Sequence, residues 1–411
     1  MNVRRSAAVL AATAVIGAAT PAVAASPSPA PSVAIPSGLY GTTDPTYDGV
    51  WRQSLALLAQ DTVGVEPAEK AVDWLAGQQC ANGSFAAFRA DPARACDAKL
   101  MVDTNSTAAA VQALAALGGH EAAAEKAVGW LKSVQNADGG WGYTPGGASD
   151  TNSTAVVVGA LAAAGEKPAE VVKGGKSPYD ALVTLALPCD AGGAFAYQPD
   201  KQGTLTANAD ATAAGVLGAL GEGLAAGAGK KADKTACAAP GTPRQAAANG
   251  AAYLAEAVAK NGYLTSVLPG AENQPDYGNT ADAVVALAAQ GGAERAGKPL
   301  AWLQRNAAAW AKQSGPAAYA QLVLAAHATG TDPRAFGGTD LVAALNATGP
   351  APRAADAAKG GTADKADGAD DTVGAEEEPE DGFGVWWTVG VFLVAGIGIG
   401  FLISGRRKQQ P

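Results

Sequence analysis

Four stretches of the chain carry carboxylate or amide side chains in one pattern, immediately before a run of small apolar residues. They begin at Asp103, Asp150, Asn208 and Asp276 and read DTNSTA, DTNSTA, NADATA and DYGNTA. Side chains of these types can hydrogen-bond a ligand, exchange protons or cap a helix. Ten residues in or near these stretches are our ligand-binding candidates: Asp103, Asn105, Asp150, Asn152, Asn208, Asp210, Asp276, Tyr277, Tyr143 and Tyr197.

Each of these polar stretches opens a segment that we predict to be a buried helix. Asp, Asn, Ser and Thr are the usual N-cap residues, so the alternative for most of the ten candidates is a capping or turn role. If the helix starts share one rim, their dipoles favour polar or anionic ligand groups. Tyr143 and Tyr197 are close enough in sequence to stack on a ligand.

The buried segments belong to an internal repeat. Aligning them on Thr107, Thr154, Thr212 and Thr280 gives spacings of 47, 58 and 68 residues. Amphipathic helices lie between them, with aromatic residues at recurrent positions: Trp74, Trp130, Tyr253 and Trp302. Six buried helices alternate with six amphipathic ones, which predicts an all-α (α/α)6 toroid of about twelve helices, with a linear α-solenoid as the alternative.

The segment that follows the second amphipathic helix carries a family resemblance. Gln135 to Gly142 reads QNADGGWG and resembles the QW motif, QxxDGGWG, of the squalene–hopene cyclase and prenyltransferase repeat superfamily. Degenerate copies begin at Gln79 and Asp190, with Asn261 as the start of a third candidate, and the resemblance covers residues 47–347. It implies the toroid. The motif itself has a structural interpretation, in which Asp138 caps a turn and Trp141 packs between repeats.

The reactions of this superfamily depend on residues that can be checked one by one. Class II terpene cyclases protonate an alkene with the middle Asp of a DxDDTA motif, and the matching positions here are Asn105 and Asn152. Asp210 retains the acid without its flanking carboxylates, so it is the catalytic candidate if the protein is an enzyme. The Asp/Cys/His zinc trio of prenyltransferases and the CGEQ thioester motif are not found. We therefore expect no metal and no cofactor.

The DTNSTAAAVQALAALG segment that begins at Asp103 is also similar to the inner-helix starts of transcobalamin and intrinsic factor, which carry corrinoids outside cells. The second domain that closes over the ligand in those carriers is not found here. The sequence favours an extracytoplasmic binding or interaction module, possible ligands including a corrinoid. Two alternatives stay open: an isoprenoid cyclase or prenyl-transfer enzyme at the membrane surface, and a structural cell-envelope protein.

The two ends of the chain predict its location. Residues 1–25 have the basic, apolar and small-residue regions of a signal peptide, with an N-terminal membrane anchor as the alternative. A disordered leader (26–39) and the toroid (40–350) follow. Residues 383–405 are apolar enough to cross a bilayer and precede a basic tail (406–411), which predicts a single-pass protein with its bulk extracytoplasmic.

The charge of the chain is unevenly distributed. The net charge is −9, from 29 basic and 38 acidic residues. Residues 351–382 contain ten acids and three bases, which predicts an extended, self-repelling stalk, with an acidic cation-binding patch as the alternative. The chain lacks the broad basic surface that a nucleic-acid partner requires. The expected partners are the membrane and an unknown small molecule or envelope protein.

The four cysteines form an even set in a chain with an export signal. They are Cys80, Cys96, Cys189 and Cys237, and they predict two disulfides with three possible pairings. We prefer Cys80–Cys96, because both lie in the stretch between two predicted helices, and this leaves Cys189–Cys237. A zinc site is the competing interpretation, but no C-x-x-C spacing occurs and the chain has only two histidines.

Overall fold

The computed structural model describes residues 34–231, 236–267 and 271–353. Within these ranges the chain forms twelve α-helices and one short hairpin, which confirms the predicted number of helices. The helices are α1 Gly49–Thr62, α2 Glu69–Gly77, α3 Thr104–Leu117, α4 Glu121–Ser133, α5 Thr151–Ala163, α6 Pro178–Leu185, α7 Ala209–Leu220, α8 Pro243–Ala257, α9 Tyr277–Gly291, α10 Gly297–Ser314, α11 Pro316–Thr329 and α12 Leu341–Asn346. Strands β1 (Leu264–Thr265) and β2 (Pro275–Asp276) pair antiparallel before α9.

Several predicted segments lie outside the described residues. These are the signal peptide (1–25), the transmembrane helix (383–405), the basic tail (406–411) and all but the first three residues of the stalk (351–382). Of the predicted leader (26–39), residues 34–39 are described. Among the described residues, no helix has both the length and the apolar character needed to cross a bilayer.

The odd-numbered helices form a closed inner ring. Each of α1, α3, α5, α7 and α9 packs against the next odd-numbered helix, and α11 packs against both α9 and α1. The even-numbered helices pack on the outside of this ring, as α4 does on α3 and α8 does on α7. A linear solenoid would leave α1 and α11 apart, so the described residues form the predicted (α/α)6 toroid.

The threonine on which the repeats align has one structural role in all four copies. Thr107, Thr154, Thr212 and Thr280 are fully buried. Each Oγ1 accepts a hydrogen bond from the backbone N–H of the turn that precedes its helix, at 2.9–3.1 Å. The donors are Phe85, Trp141, Phe195 and Leu264. These threonine bonds satisfy buried N–H groups that would otherwise cost about 1–3 kcal/mol each.

The QW motif joins one repeat to the next, which is the structural role its sequence predicts. Gln135 Nε2 donates to the carbonyls of Gly139 in the same turn and Val171 in the following repeat, at 2.8 and 3.1 Å. Trp141 is fully buried, and its Nε1 donates to the Leu131 carbonyl at 2.7 Å. Gly139 has a φ of +88°, and a Cβ there would lie 2.2 Å from the carbonyl oxygen of Ser177, so only glycine fits.

Both preferred disulfides form. Cys80 pairs with Cys96 and Cys189 pairs with Cys237, with Cα separations of 5.6 and 5.7 Å. No free cysteine remains in the described part of the chain. Structural disulfides of this kind indicate an oxidising compartment outside the cytoplasm.

The ring closes where the first and last described residues meet. Tyr40 is fully buried and donates from Oη to the Pro350 carbonyl at 3.2 Å. The backbone N–H of Gly41 donates to the Thr348 carbonyl at 2.8 Å. Burial already begins at Gly38 and Leu39, which the sequence placed in the leader. Gly38 packs closely on α2, since a Cβ there would lie 2.3 Å from the Lys70 carbonyl oxygen.

Candidate functional site

A cavity of about 500 Å³ lies inside the ring, within the described residues. All six inner helices contribute to it, mostly from their first two turns. The polar and aromatic residues that line it are Trp51, Asn105, Gln112, Asn152, Tyr197, Asn208, Asp210, Glu222, Tyr253, Thr265, Asp276, Asn279, Asp282, Trp310, Ser314 and Gln321. The remainder of the lining is Ala, Gly, Leu and Val.

The repeat places equivalent residues around the mouth of this cavity. Asn105, Asn152 and Asp210 each lie two residues before the aligned threonine and line the cavity from the second position of their helices. The equivalent residue of α9 is Gly278, which leaves room for neighbouring side chains. A Cβ at Gly278 would lie 3.6 Å from Gln321 and 3.9 Å from Trp310.

The residues before these helices act as N-caps. Asp103 accepts from the Ser106 N–H at 2.6 Å, and Asp150 accepts from the Ser153 N–H at 2.7 Å. Neither carboxylate lines the cavity, so both residues have the capping role that was the alternative to ligand binding. Asn208 and Asp276 also cap their helices, and both contribute to the lining as well.

The three candidate tyrosines have separate positions. Tyr197 lines the cavity and hydrogen-bonds the Asp150 carboxylate. Tyr143 does not line it. Its backbone carbonyl accepts from the Thr104 N–H, and burial together with the Asp103 charge raises the pKa of its hydroxyl. Tyr277 is also outside the lining, since its ring packs against Trp302 and Trp310 with centroids 4.9 and 5.4 Å away.

The structure adds residues that sequence reasoning missed. Asp282 lies in the second turn of α9, and both of its carboxylate oxygens are 3.3 Å from Gln321 Nε2 on α11. Trp51 and Trp310 contribute aromatic surface. A signal was present: Asp282 is the only acid in α9, and Gln321 interrupts an otherwise apolar helix start. A lone polar residue in a buried helix needs a partner or a function.

Burial and mutual repulsion raise the pKa values of two carboxyl groups of the cavity towards neutral pH. Burial raises the pKa of Asp210 to about 6, and the nearby charges of Asp276 and Asp150 add to the shift. Asn152 opposes it by donating from Nδ2 to Asp210 Oδ2 at 2.8 Å. Burial raises the pKa of Asp282 to about 7, aided by the charges of Asp210 and Asp276. These groups can therefore change protonation near physiological pH.

Some buried polar atoms at the cavity have no hydrogen-bond partner. Asn105 is 3% exposed, and neither its Oδ1 nor its Nδ2 is paired. Asn152 Oδ1 and Trp310 Nε1 are in the same condition. Since an unpaired buried polar atom is costly, such atoms are the ones that a ligand would satisfy. No group of three or more His, Cys, Asp or Glu residues suited to a metal ion occurs in the described ranges.

Comparison with protein families gives a match in the first part of the ring. Residues 44–185 match the family model described as the prenyltransferase alpha-alpha toroid domain. This region, which ends with α6, is similar to that domain. The match confirms the superfamily that the QW motif indicated, that of terpenoid cyclases and prenyltransferases. None of the curated proteins compared with the chain matches it.

Two solved structures resemble this toroid. One is a protein from Actinoplanes, with 20% sequence identity and a TM-score of 0.42, covering 70% of this chain and 78% of that one. The other is ent-copalyl diphosphate synthase from Streptomyces platensis, with 18% identity and a TM-score of 0.45, covering 69% of this chain. The match spans half the length of the synthase, 50% of that chain.

Proposed function

We propose that the toroid is an extracytoplasmic module that binds a small molecule in its central cavity and is tethered to the membrane by residues 383–405. The observation that carries this proposal is Asn105, a buried amide with no partner for either of its polar atoms. An unpaired buried amide costs about 1–3 kcal/mol, which a hydrogen-bonding molecule in the cavity would recover.

The size and composition of the cavity support the same proposal. A volume of about 500 Å³ lies within the range of sites for drug-sized ligands. Apolar walls with a few convergent polar groups are typical of such sites. A corrinoid is larger than this class of ligand, so only part of one would enter, with the remainder at the mouth of the ring.

A catalytic role is the second candidate, and Asp210 is the observation that favours it. Its half-buried carboxyl group lines a cavity that also holds Trp51, Tyr197, Tyr253 and Trp310, and its raised pKa suits proton donation. However, the flanking acids of the DxDD motif are missing, and no basic residue lines the cavity in the described residues to receive a diphosphate. A cyclase here would therefore act on a neutral isoprenoid.

The test compares the full chain with variants of the two cavity residues. The wild-type protein, purified from its own membranes in detergent, is extracted and analysed by mass spectrometry for a bound small molecule. We expect the molecule to be lost in Asn105→Leu and retained in Asn306→Ala, a control on the exposed face of α10. Equal retention in Asn105→Leu would contradict the proposed binding site.

The catalytic alternative has its own experiment. The full chain is incubated with squalene, and separately with geranylgeranyl diphosphate, and products are sought by gas chromatography. We expect none. A cyclised product that disappears in Asp210→Asn would overturn the binding proposal in favour of catalysis. Titration with cyanocobalamin in a calorimeter tests the corrinoid ligand, and no heat at saturation would remove it.

The tether is tested by fractionation. The full chain is expected in the membrane fraction, whereas a chain that ends at residue 382 is expected in the soluble fraction. A truncated chain that stays with the membrane would contradict anchoring by residues 383–405.

A further inference from the structure

We propose that the molecule bound in the cavity carries a cationic amine, and that its ammonium group lies between Asp210 and Asp282. This inference rests on the proposed binding function and names the class of its ligand. It reverses the expectation from helix dipoles alone, which favoured polar or anionic groups at this rim.

The charges of the cavity point to a cation. Four acidic residues line it, Asp210, Glu222, Asp276 and Asp282, and no Lys, Arg or His does so among the described residues. Asp210 and Asp282 are half-buried in the cavity wall, and the burial penalises an unpaired negative charge on either of them. A bound ammonium would supply the missing counter-charge, whereas a phosphate or carboxylate ligand would add to the repulsion.

The two central carboxylates have few hydrogen-bond donors. Asp210 and Asp282 are on α7 and α9, which are neighbours in the inner ring. Asn152 donates to only one oxygen of the Asp210 carboxylate, Oδ2. Both oxygens of Asp282 accept only at 3.3 Å, from the single Nε2 of Gln321. An ammonium has three N–H donors and can bind both carboxylates at once.

The unpartnered amides are a separate observation that points to a ligand at this place. Asn105 is more than nine-tenths buried and lines the cavity with both polar atoms unpaired. Asn152 is 5% exposed, and its free Oδ1 is a second acceptor, beside the carboxylate to which its Nδ2 donates. The unpaired acceptors match a donor-rich ligand, and Asn105 Nδ2 and Trp310 Nε1 can bind an acceptor elsewhere on it.

The remaining walls define the rest of the ligand. Trp51, Trp310, Leu55, Leu217 and Val285 line the cavity around these polar groups. Aromatic faces attract cations as well as apolar groups, with the indole the strongest of them. The structure therefore fits an amphiphilic amine of drug size, with an aromatic or alicyclic body.

Three probes that share one ring system test this assignment. Tryptamine, tryptophol and indole-3-acetate present an ammonium, a hydroxyl and a carboxylate on the same indole. They are titrated calorimetrically into the full chain in detergent micelles at about pH 8, where Asp210 and Asp282 are mostly ionised. We expect tryptamine to bind at least about tenfold more tightly than tryptophol, and indole-3-acetate to bind weakest.

Variants locate the ammonium group. Asp282→Asn is expected to weaken tryptamine binding by about tenfold and to leave tryptophol binding nearly unchanged, which also shows that the variant is folded. Asp210→Asn should do the same. Asp73→Asn, on the exposed side of α2, is the matched control and should change neither affinity.

The outcomes separate the two proposals. Tryptophol binding as tightly as tryptamine, or equal loss of both in Asp282→Asn, would overturn the ammonium assignment and leave cavity binding intact. Binding of none of the three probes would contradict both.

Discussion

The two halves of the ring share one architecture but line the cavity with different side chains. In the first half, α1 to α6, the side chains at the cavity mouth are the neutral amides of Asn105 and Asn152, and the nearby carboxylates are N-caps. In the second half, α7 to α12, Asp210 and Asp282 reach the cavity as ionisable groups. The first half therefore presents amides to the cavity, and the second half presents ionisable carboxyl groups.

The same division is visible in the family match. Residues 44–185, which match the prenyltransferase toroid domain, end with α6. This half contains the complete QW motif and both DTNSTA stretches. In the second half a short hairpin, β1 and β2, stands before α9, and Leu264 takes the place of the QW aromatic residue. The first half keeps the repeated motifs. The second half departs from them, and it is the half that adds carboxyl groups to the cavity.

The largest expected effect compares the residues that fill the equivalent turns. Trp141→Ala should lower the free energy of unfolding by about 4 kcal/mol, because it empties a fully buried site, and Leu264→Ala by about 3 kcal/mol. Urea denaturation of the full chain measures both. Met101→Ala, at an exposed side chain, is the control and should change stability by less than about 0.5 kcal/mol. A larger loss from Leu264→Ala would show that the second half is the better packed one.

A smaller effect tests whether the threonine bonds support both halves equally. Thr154→Val and Thr280→Val each leave a buried N–H without its acceptor, that of Trp141 or Leu264. Each should cost about 1–3 kcal/mol in the same denaturation experiment. Thr184→Val is the control, since the Thr184 hydroxyl bonds only within its own helix, to Ala181. A loss of stability in Thr154→Val alone would show that the threonine bond supports only the first half.

The smallest expected effect is a gain in stability, and it comes from a residue of the second half. The pKa of Asp282 is raised by burial to about 7 from an ordinary value of 3.8. Between those values the native state holds more protons than the unfolded state, so stability falls as pH rises and levels off above about pH 7. Asp282→Asn should reduce that fall and stabilise the protein at about pH 8, by on the order of 1 kcal/mol.

Thermal unfolding across this pH range measures the Asp282 effect. Asp180→Asn is an informative contrast in the first half, because hydrogen bonds from Ser177 lower the pKa of the exposed Asp180 carboxyl. Its loss should reduce stability at neutral pH rather than increase it. A destabilised Asp282→Asn protein would mean that this carboxylate contributes to the fold and is not kept for a ligand.

Most of the architecture could be predicted from the sequence because it is encoded locally and repeatedly. The aligned threonines, the QW motif and the apolar runs each recur at a spacing close to one helix pair, so the toroid and its helices followed. Asn105, Asn152 and Asp210 were found for the same reason, since they occupy one position of the repeat. The disulfide pairing followed from the position of Cys80 and Cys96 between two helices.

The remainder of the site depends on contacts that no repeat encodes. Asp282 meets Gln321 only because α9 and α11 are neighbours in a closed ring. Tyr277 was assigned to the site by its place beside Asp276, yet its ring packs against Trp302 and Trp310. Asp103, Asp150 and Asp276 hold one position of the repeat and all cap their helices, and only three-dimensional position shows that Asp276 also lines the cavity.

The hydrogen bonds at the junction of the first and last described residues have a consequence for how the ring is made. The Tyr40 hydroxyl and the Pro350 carbonyl are 310 residues apart in sequence, whereas Gln135 and Val171 are separated by 36. Contacts between adjacent repeats enclose short loops and can form early and in succession, but the junction encloses nearly the whole domain. The cavity is therefore completed only when α1 meets α11, and we expect this closure of the circle to be the slow, final step of folding.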